Sequence, residues 1–138
     1  MAGQVKILVD SREQNPWEFP GVRCVKCALS FGDYAVAGSA HRRAVERKSS
    51  QDFVGSITTG RARFLKEFDR AREAGARILL VVEASYGECE AVLAKYQPSR
   101  AFRKTLASFM DESGSTPVFT GTRERAKALA LAWLTENQ

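Results

Sequence analysis

Apolar and polar positions follow two rhythms along the chain, and the places where the rhythm changes predict the elements. Val5 to Val9 is a short apolar run closed by Asp10, the pattern of a buried strand emerging at a sheet edge. Gln14 to Gly21 holds Pro16, Pro20 and Gly21 and reads as loop. Val22 to Leu29 reads as a second strand. Gly32 to Gly38 and Arg43 to Lys48 read as a hairpin-like pair around a Gly-Ser-Ala-His turn that ends at His41, which puts Asp33 and Glu46 on adjacent strands.

After Lys48 the period lengthens. Phe53, Val54, Ile57, Phe64, Leu65, Phe68 and Ala71 recur at helical spacing, with a break near Thr58-Thr59-Gly60, so two helices or one broken helix are expected. Ala76 to Ala84 contains Ile78-Leu79-Leu80-Val81-Val82, a strand buried on both faces. A helix from Glu88 to Tyr96, another from Ser99 to Met110, a strand at Pro117 to Thr120 and a last helix from Thr122 to Thr135 complete the pattern. Thr122 is placed to cap that last helix, and Ala126, Leu129, Ala130 and Trp133 form its expected core face. Strands alternating with helices give an α/β fold with a mixed sheet. At 138 residues, without repeats or flexible linkers, the chain is expected to form one domain, residues 1–138.

Composition narrows the function classes. No run approaches the roughly 18 apolar residues of a membrane span, and Met-Ala-Gly-Gln leads directly into a strand without a signal-peptide core, so a soluble, intracellular protein without a membrane partner is expected. Cys24, Cys27, Cys89 and His41 are a poor set for zinc. The Cys24 and Cys27 side chains of a strand point to opposite faces, and both read as inert core thiols of a reducing compartment. The formal charge of +5 suits a polyanionic partner without proving one.

The chemistry concentrates between Asp33 and Lys48. Thirteen positions after Asp33 comes Glu46-Arg47-Lys48 on a strand, where the period of two puts Glu46 and Lys48 on one face. Two carboxylates converging from neighbouring strands suit a hard divalent ion such as Mg²⁺. Lys48 beside such an ion can orient the attacking water while the metal stabilises charge on a phosphodiester. The plain alternative is a solvated stretch of edge strand. Asp10 and Asp52 shift the balance, because four carboxylates would then gather at one end of one sheet.

These residues also carry a resemblance. Ile7-Leu8-Val9-Asp10-Ser11-Arg12-Glu13, Phe31-Gly32-Asp33-Tyr34, Val45-Glu46-Arg47-Lys48-Ser49-Ser50-Gln51-Asp52-Phe53, Gly55-Ser56-Ile57 and Gly60-Arg61 resemble the nuclease domain of the XPF family of structure-specific endonucleases. The family signature is Gly-Asp, a gap, then Glu-Arg-Lys with an Asp four residues after the Lys, and the match runs from about Val5 to Ala84. The resemblance implies a restriction-endonuclease-like core that uses Mg²⁺ or Mn²⁺ to hydrolyse one strand of branched or flapped DNA, in repair, recombination or replication. Asp33 and Glu46 would be metal ligands, with Asp10 a further acidic group there, and Lys48 would handle the water. Arg47 would lie near the scissile phosphate, Asp52 would tune the site or brace Arg47, and Arg12 and Arg61 would contact phosphates.

Many family members add tandem helix-hairpin-helix motifs, and the chain to Gln138 has none, which resembles standalone bacterial or viral forms. DNA affinity is then expected from the basic helix face with Arg61, Arg63, Lys66 and Arg70, from Lys95, Arg100, Arg103 and Lys104, or from a homodimer formed through this domain. The plain reading of both basic groups is a solvated helix face. The resemblance places the protein in the cytoplasm with the nucleoid, or in the nucleus of a eukaryote. A non-catalytic DNA-binding or dimerisation partner is the competing reading, against which stands the presence of Asp33, Glu46, Lys48 and Asp52 together. Action on RNA or on plain duplex DNA is a third reading, since no segment recognisably reads base edges.

Overall fold

The computed structural model describes residues 5–38 and 42–136. His41 and the end of the expected turn lie outside the described residues. The elements in order are β1 (Lys6–Asp10), β2 (Arg23–Cys27), β3 (Tyr34–Val36), β4 (Arg43–Lys48), α1 (Ser50–Ile57), α2 (Arg61–Glu73), β5 (Arg77–Val82), α3 (Tyr86–Tyr96), α4 (Phe102–Ser113), β6 (Val118–Phe119) and α5 (Arg123–Thr135).

The strands form one mixed sheet in the order β2-β1-β3-β4-β5-β6. β1 runs parallel to β2 and antiparallel to β3, β3 antiparallel to β4, and β4, β5 and β6 are mutually parallel. Alternation along β5 sends Leu80 and Val82 to one face and Val81 to the other. On the first face Phe53, Ile57, Phe64, Leu93 and Phe109 of α1 to α4 cover the sheet. On the second, α5 packs through Ala126, Ala130 and Leu134 beside Trp17 and Phe19 of the loop that follows β1. The expected α/β layering with a sheet covered on both sides is what forms.

Local chemistry explains most helix boundaries. Ser49 caps α1 by accepting the Asp52 N–H, and Thr122 caps α5 by accepting the Arg125 N–H at 3.2 Å. α3 begins two residues before the expected Glu88, because Ser85 and Glu88 form a reciprocal capping box. α4 runs past Met110 to Ser113, where Gly114 at φ +69° ends it.

Two expectations about the core change. Leu134 rather than Trp133 completes the buried stripe of α5, since it follows Ala126 and Ala130 at four-residue steps. Trp133 is half-buried at the flank, with the Arg43 guanidinium 5.3 Å from its ring. β2 is an edge strand, so Cys24 is exposed and Cys27 half-buried; only Cys89 is a core thiol. No helix among the described residues is long and apolar enough to cross a membrane.

Candidate active site

β4 decides which side chains meet. Its alternation turns Glu46 and Lys48 toward α1 and α2, and turns Arg47 to the opposite face, beside Trp17 and Tyr34. Asp33 enters from the turn before β3. Its N–H donates to the Val45 carbonyl at 2.7 Å and its carbonyl accepts the Asp10 N–H at 2.8 Å, so its backbone is held between β1 and β4. The Asp33 carboxylate then accepts the Arg47 N–H at 2.8 Å, which fixes it beside Glu46. The preceding Gly32 has a physical reason. It sits at φ +75°, and a Cβ there would stand 2.7 Å from the Ala44 Cβ.

Burial sets the electrostatics of the pair. Glu46 is 5% exposed, and burial together with Asp33 and Glu67 raises its carboxyl well above the usual range. Burial also pushes Asp33 up to about 6, with Glu13 and Glu67 adding to the rise and the Arg47 N–H opposing it. Lys48 Nζ lies 3.4 Å from Glu46 Oε2 and 4.9 Å from the centre of the Phe64 ring. Two adjacent buried carboxylates resist ionising together, and a hard cation on their oxygens would relieve that. The donor set fits Mg²⁺ or Mn²⁺.

Asp10 is in the same cleft but is already engaged. Burial alone would raise its carboxyl; hydrogen bonds from Arg12 and the Leu29 N–H outweigh that and hold it below its usual value. Asp10, Arg12, Asp33, Glu46, Glu67 and Arg70 line this pit of about 450 Å³. Among the described residues no three acidic, histidine or cysteine side chains stand as a ready-formed metal cage; Asp10, Asp33 and Glu46 line one pit, with Asp10 bound to Arg12. A second groove of about 520 Å³ runs between α1 and α2 past Lys48, Asp52, Arg63 and Lys66, and it shares Glu67 and Arg70 with the pit.

Three residues singled out in the sequence make contacts other than those expected. Arg47 does not face the pit. Its guanidinium binds Glu83, Glu13 Oε2 at 3.1 Å and the Asn15 carbonyl at 2.7 Å, and lies 4.7 Å from the Trp17 ring. Asp52 does not brace it; Asp52 is exposed in the groove, on the side of Lys48. Arg61 is committed within the protein, donating to the Ile57 carbonyl, Ser108, Glu112 and the Thr105 carbonyl, and so ties α2 to α4. Arg63 and Lys66 are exposed along the groove as expected, and Arg12 is exposed at the rim of the pit. Lys95, Arg100, Arg103 and Lys104 line neither cleft.

Sequence reasoning missed Glu67, along with Glu13 and Glu83. Glu67 Oε2 accepts the Gly32 N–H at 2.7 Å, and its carboxyl group meets that of Glu46. The available signal was spacing: Glu67 shares a face of α2 with Arg63 and Arg70 and interrupts an otherwise basic series.

Residues 9–134 match the ERCC4 domain family. The chain belongs to this family. The resemblance to the XPF-family nuclease domain read from its motifs therefore stands. A solved structure described as XPF from Aeropyrum pernix in complex with DNA has the same fold, with a TM-score of 0.60 and 23% identity over 95% of this chain and 63% of that one. A second structure of XPF from Aeropyrum pernix gives a TM-score of 0.59 and 23% identity over 96% of this chain and 62% of that one. The chain thus spans under two thirds of the length of these structures. Among curated proteins no match is found. Within this ERCC4 domain, the Gly-Asp and Glu-Arg-Lys motifs coincide with the Gly32 turn, the Asp33–Glu46 pair and Lys48.

Proposed function

We propose that the protein is a divalent-metal-dependent DNA endonuclease that hydrolyses phosphodiester bonds in branched or flapped DNA, in repair, recombination or replication. The observation that carries this reading is the buried Asp33–Glu46 pair with Lys48 at its side, in a pit that shares Glu67 and Arg70 with a groove lined by Arg63 and Lys66. Asp33 and Glu46 would hold Mg²⁺ or Mn²⁺. When bound, the ion would acidify a water ligand and stabilise charge on the phosphate oxygens.

The chain's own residues supply the rest. The Arg47 N–H holds the Asp33 carboxylate in place, and the Arg47 side chain anchors β4 from the far face through Glu83, Glu13 and Trp17. Lys48 Nζ, on the groove side of Glu46, orients the water and favours its deprotonated form. Arg63 and Lys66 grip the phosphate backbone along the groove, and Arg12 and Arg70 do so at the rim of the pit. Asp52 tunes the charge of the groove beside Lys48. Pairing of two copies through this domain would double the phosphates contacted.

The test is cleavage of labelled flap, fork and plain duplex DNA with Mg²⁺, Mn²⁺ or EDTA, by wild type and Asp33→Asn. Metal-dependent cutting of the branched substrates that vanishes in the variant supports the reading. Folded wild-type protein that binds DNA and cuts none of them, with either ion, would overturn it in favour of a non-catalytic partner.

A further inference from the structure

Glu67 lines both clefts. It lines the acidic pit with Asp33 and Glu46, and the groove with Lys48, Arg63 and Lys66. One oxygen accepts the Gly32 N–H at 2.7 Å, which pins α2 to the turn beside Asp33. The same carboxyl group lines the pit with Glu46 and is one of the causes that raise the Glu46 carboxyl.

A carboxylate in this position calls for a physical reason. Arg63, Lys66 and Arg70 flank Glu67 on one face of α2, and Glu67 is the one acidic residue that α2 contributes to the groove. There it repels a polyanion. Among the described residues, no Lys or Arg side chain lies within ion-pair distance of it, although three share its face. The carboxyl groups it shares the pit with are Asp10, Asp33 and Glu46, of which Asp33 and Glu46 feel its charge. Like charges held against one another, next to a path for phosphates, are stabilised together by one multivalent cation.

We propose that Glu67 is a third carboxylate for the divalent cation of Asp33 and Glu46, supplied from α2, so that the helix facing the phosphates is tied directly to the reaction centre. This rests on the metal-dependent reading above. The pit is not a ready three-ligand cage. Binding the ion therefore requires the three carboxyl groups to close on it, and the soft terminal torsion of Glu67 lets its carboxyl turn.

The experiment is Mn²⁺ binding to the full chain, by calorimetry and electron paramagnetic resonance, for wild type, Glu67→Gln and Asp33→Asn. Gln retains an oxygen for the Gly32 N–H and removes the charge. The expected result is binding weakened about tenfold or more in Glu67→Gln with its far-UV circular dichroism unchanged. In ¹³C-labelled wild type, the Glu67 Cδ resonance should move on addition of Mg²⁺. Glu67→Gln that binds Mn²⁺ as tightly as wild type, while Asp33→Asn loses binding, would overturn the role of Glu67 and leave the metal-dependent reading standing. Wild type that binds no Mn²⁺ would overturn both. Should Glu67→Gln fail to fold, the Cδ resonance decides, and one that Mg²⁺ leaves unmoved rejects the proposal.

Discussion

Asp33→Asn replaces a carboxyl that burial pushes up from 3.8 to about 6 with a neutral group of the same shape. The folded protein holds the Asp33 proton more tightly than the unfolded chain does. Its contribution to stability is therefore fully present below pH 3.8 and is lost as pH rises through about 6. Each pKa unit is worth about 1.4 kcal/mol, so the ionised carboxylate costs the metal-free fold about 2–3 kcal/mol at pH 8. Asn retains an oxygen for the Arg47 N–H, so the hydrogen bond at 2.8 Å survives the change. In EDTA at pH 8 the variant should melt about 5–10 °C above wild type, and the gap should shrink toward pH 5. Circular dichroism melts of both proteins from pH 5 to pH 8 measure this directly. A gap that stays constant with pH, or an Asp33→Asn protein less stable than wild type at pH 8, would refute the reasoning that burial strains this carboxylate.

Gly32→Ala places a Cβ 2.7 Å from that of Ala44 at φ +75° and should destabilise the fold by about 2–3 kcal/mol, read from urea unfolding; wild-type stability would show that the turn can shift at little cost. Arg47→Ala strands Glu83 and Glu13, whose side chains are 16% and 17% exposed, and should cost about 3 kcal/mol by the same measurement. A stable Arg47→Ala protein that loses only cleavage would argue instead that Arg47 reaches the phosphate. Changing Arg63 and Lys66 together to Ala should weaken DNA binding and lower the salt slope by about 2, measured by fluorescence anisotropy, while leaving the melting temperature near wild type. Arg61→Ala should do the reverse, since its guanidinium joins α2 to α4; an unchanged melting temperature would contradict that role.

Much of the architecture was legible because it is local. The period of two in β4 and β5, the helical spacing of Phe53 to Ala71, and the Thr122 cap depend only on neighbours in the chain, and each appears where the pattern puts it. The same period placed Glu46 and Lys48 on one face and made Asp33 their partner across the hairpin.

Other outcomes depended on packing between segments distant in sequence, which no local pattern encodes. β2 pairs parallel with β1 at the sheet edge, so Cys24 faces solvent rather than core. The loop carrying Glu13 and Trp17 folds across the second face, so Arg47 is drawn into that cluster and away from the pit that its motif neighbours line. Arg61 and Arg63 lie on one basic helix, yet α4 claims Arg61 for the interior and leaves Arg63 to the groove. Glu67 reads as one more charge on that helix until α2 packs over the Gly32 turn and brings its carboxyl against Glu46. The chain alone determined the Asp33–Glu46 pair and the strands that present it. Tertiary contact decided which charges reach that pair, because burial and desolvation belong to the assembled layers and not to any one segment.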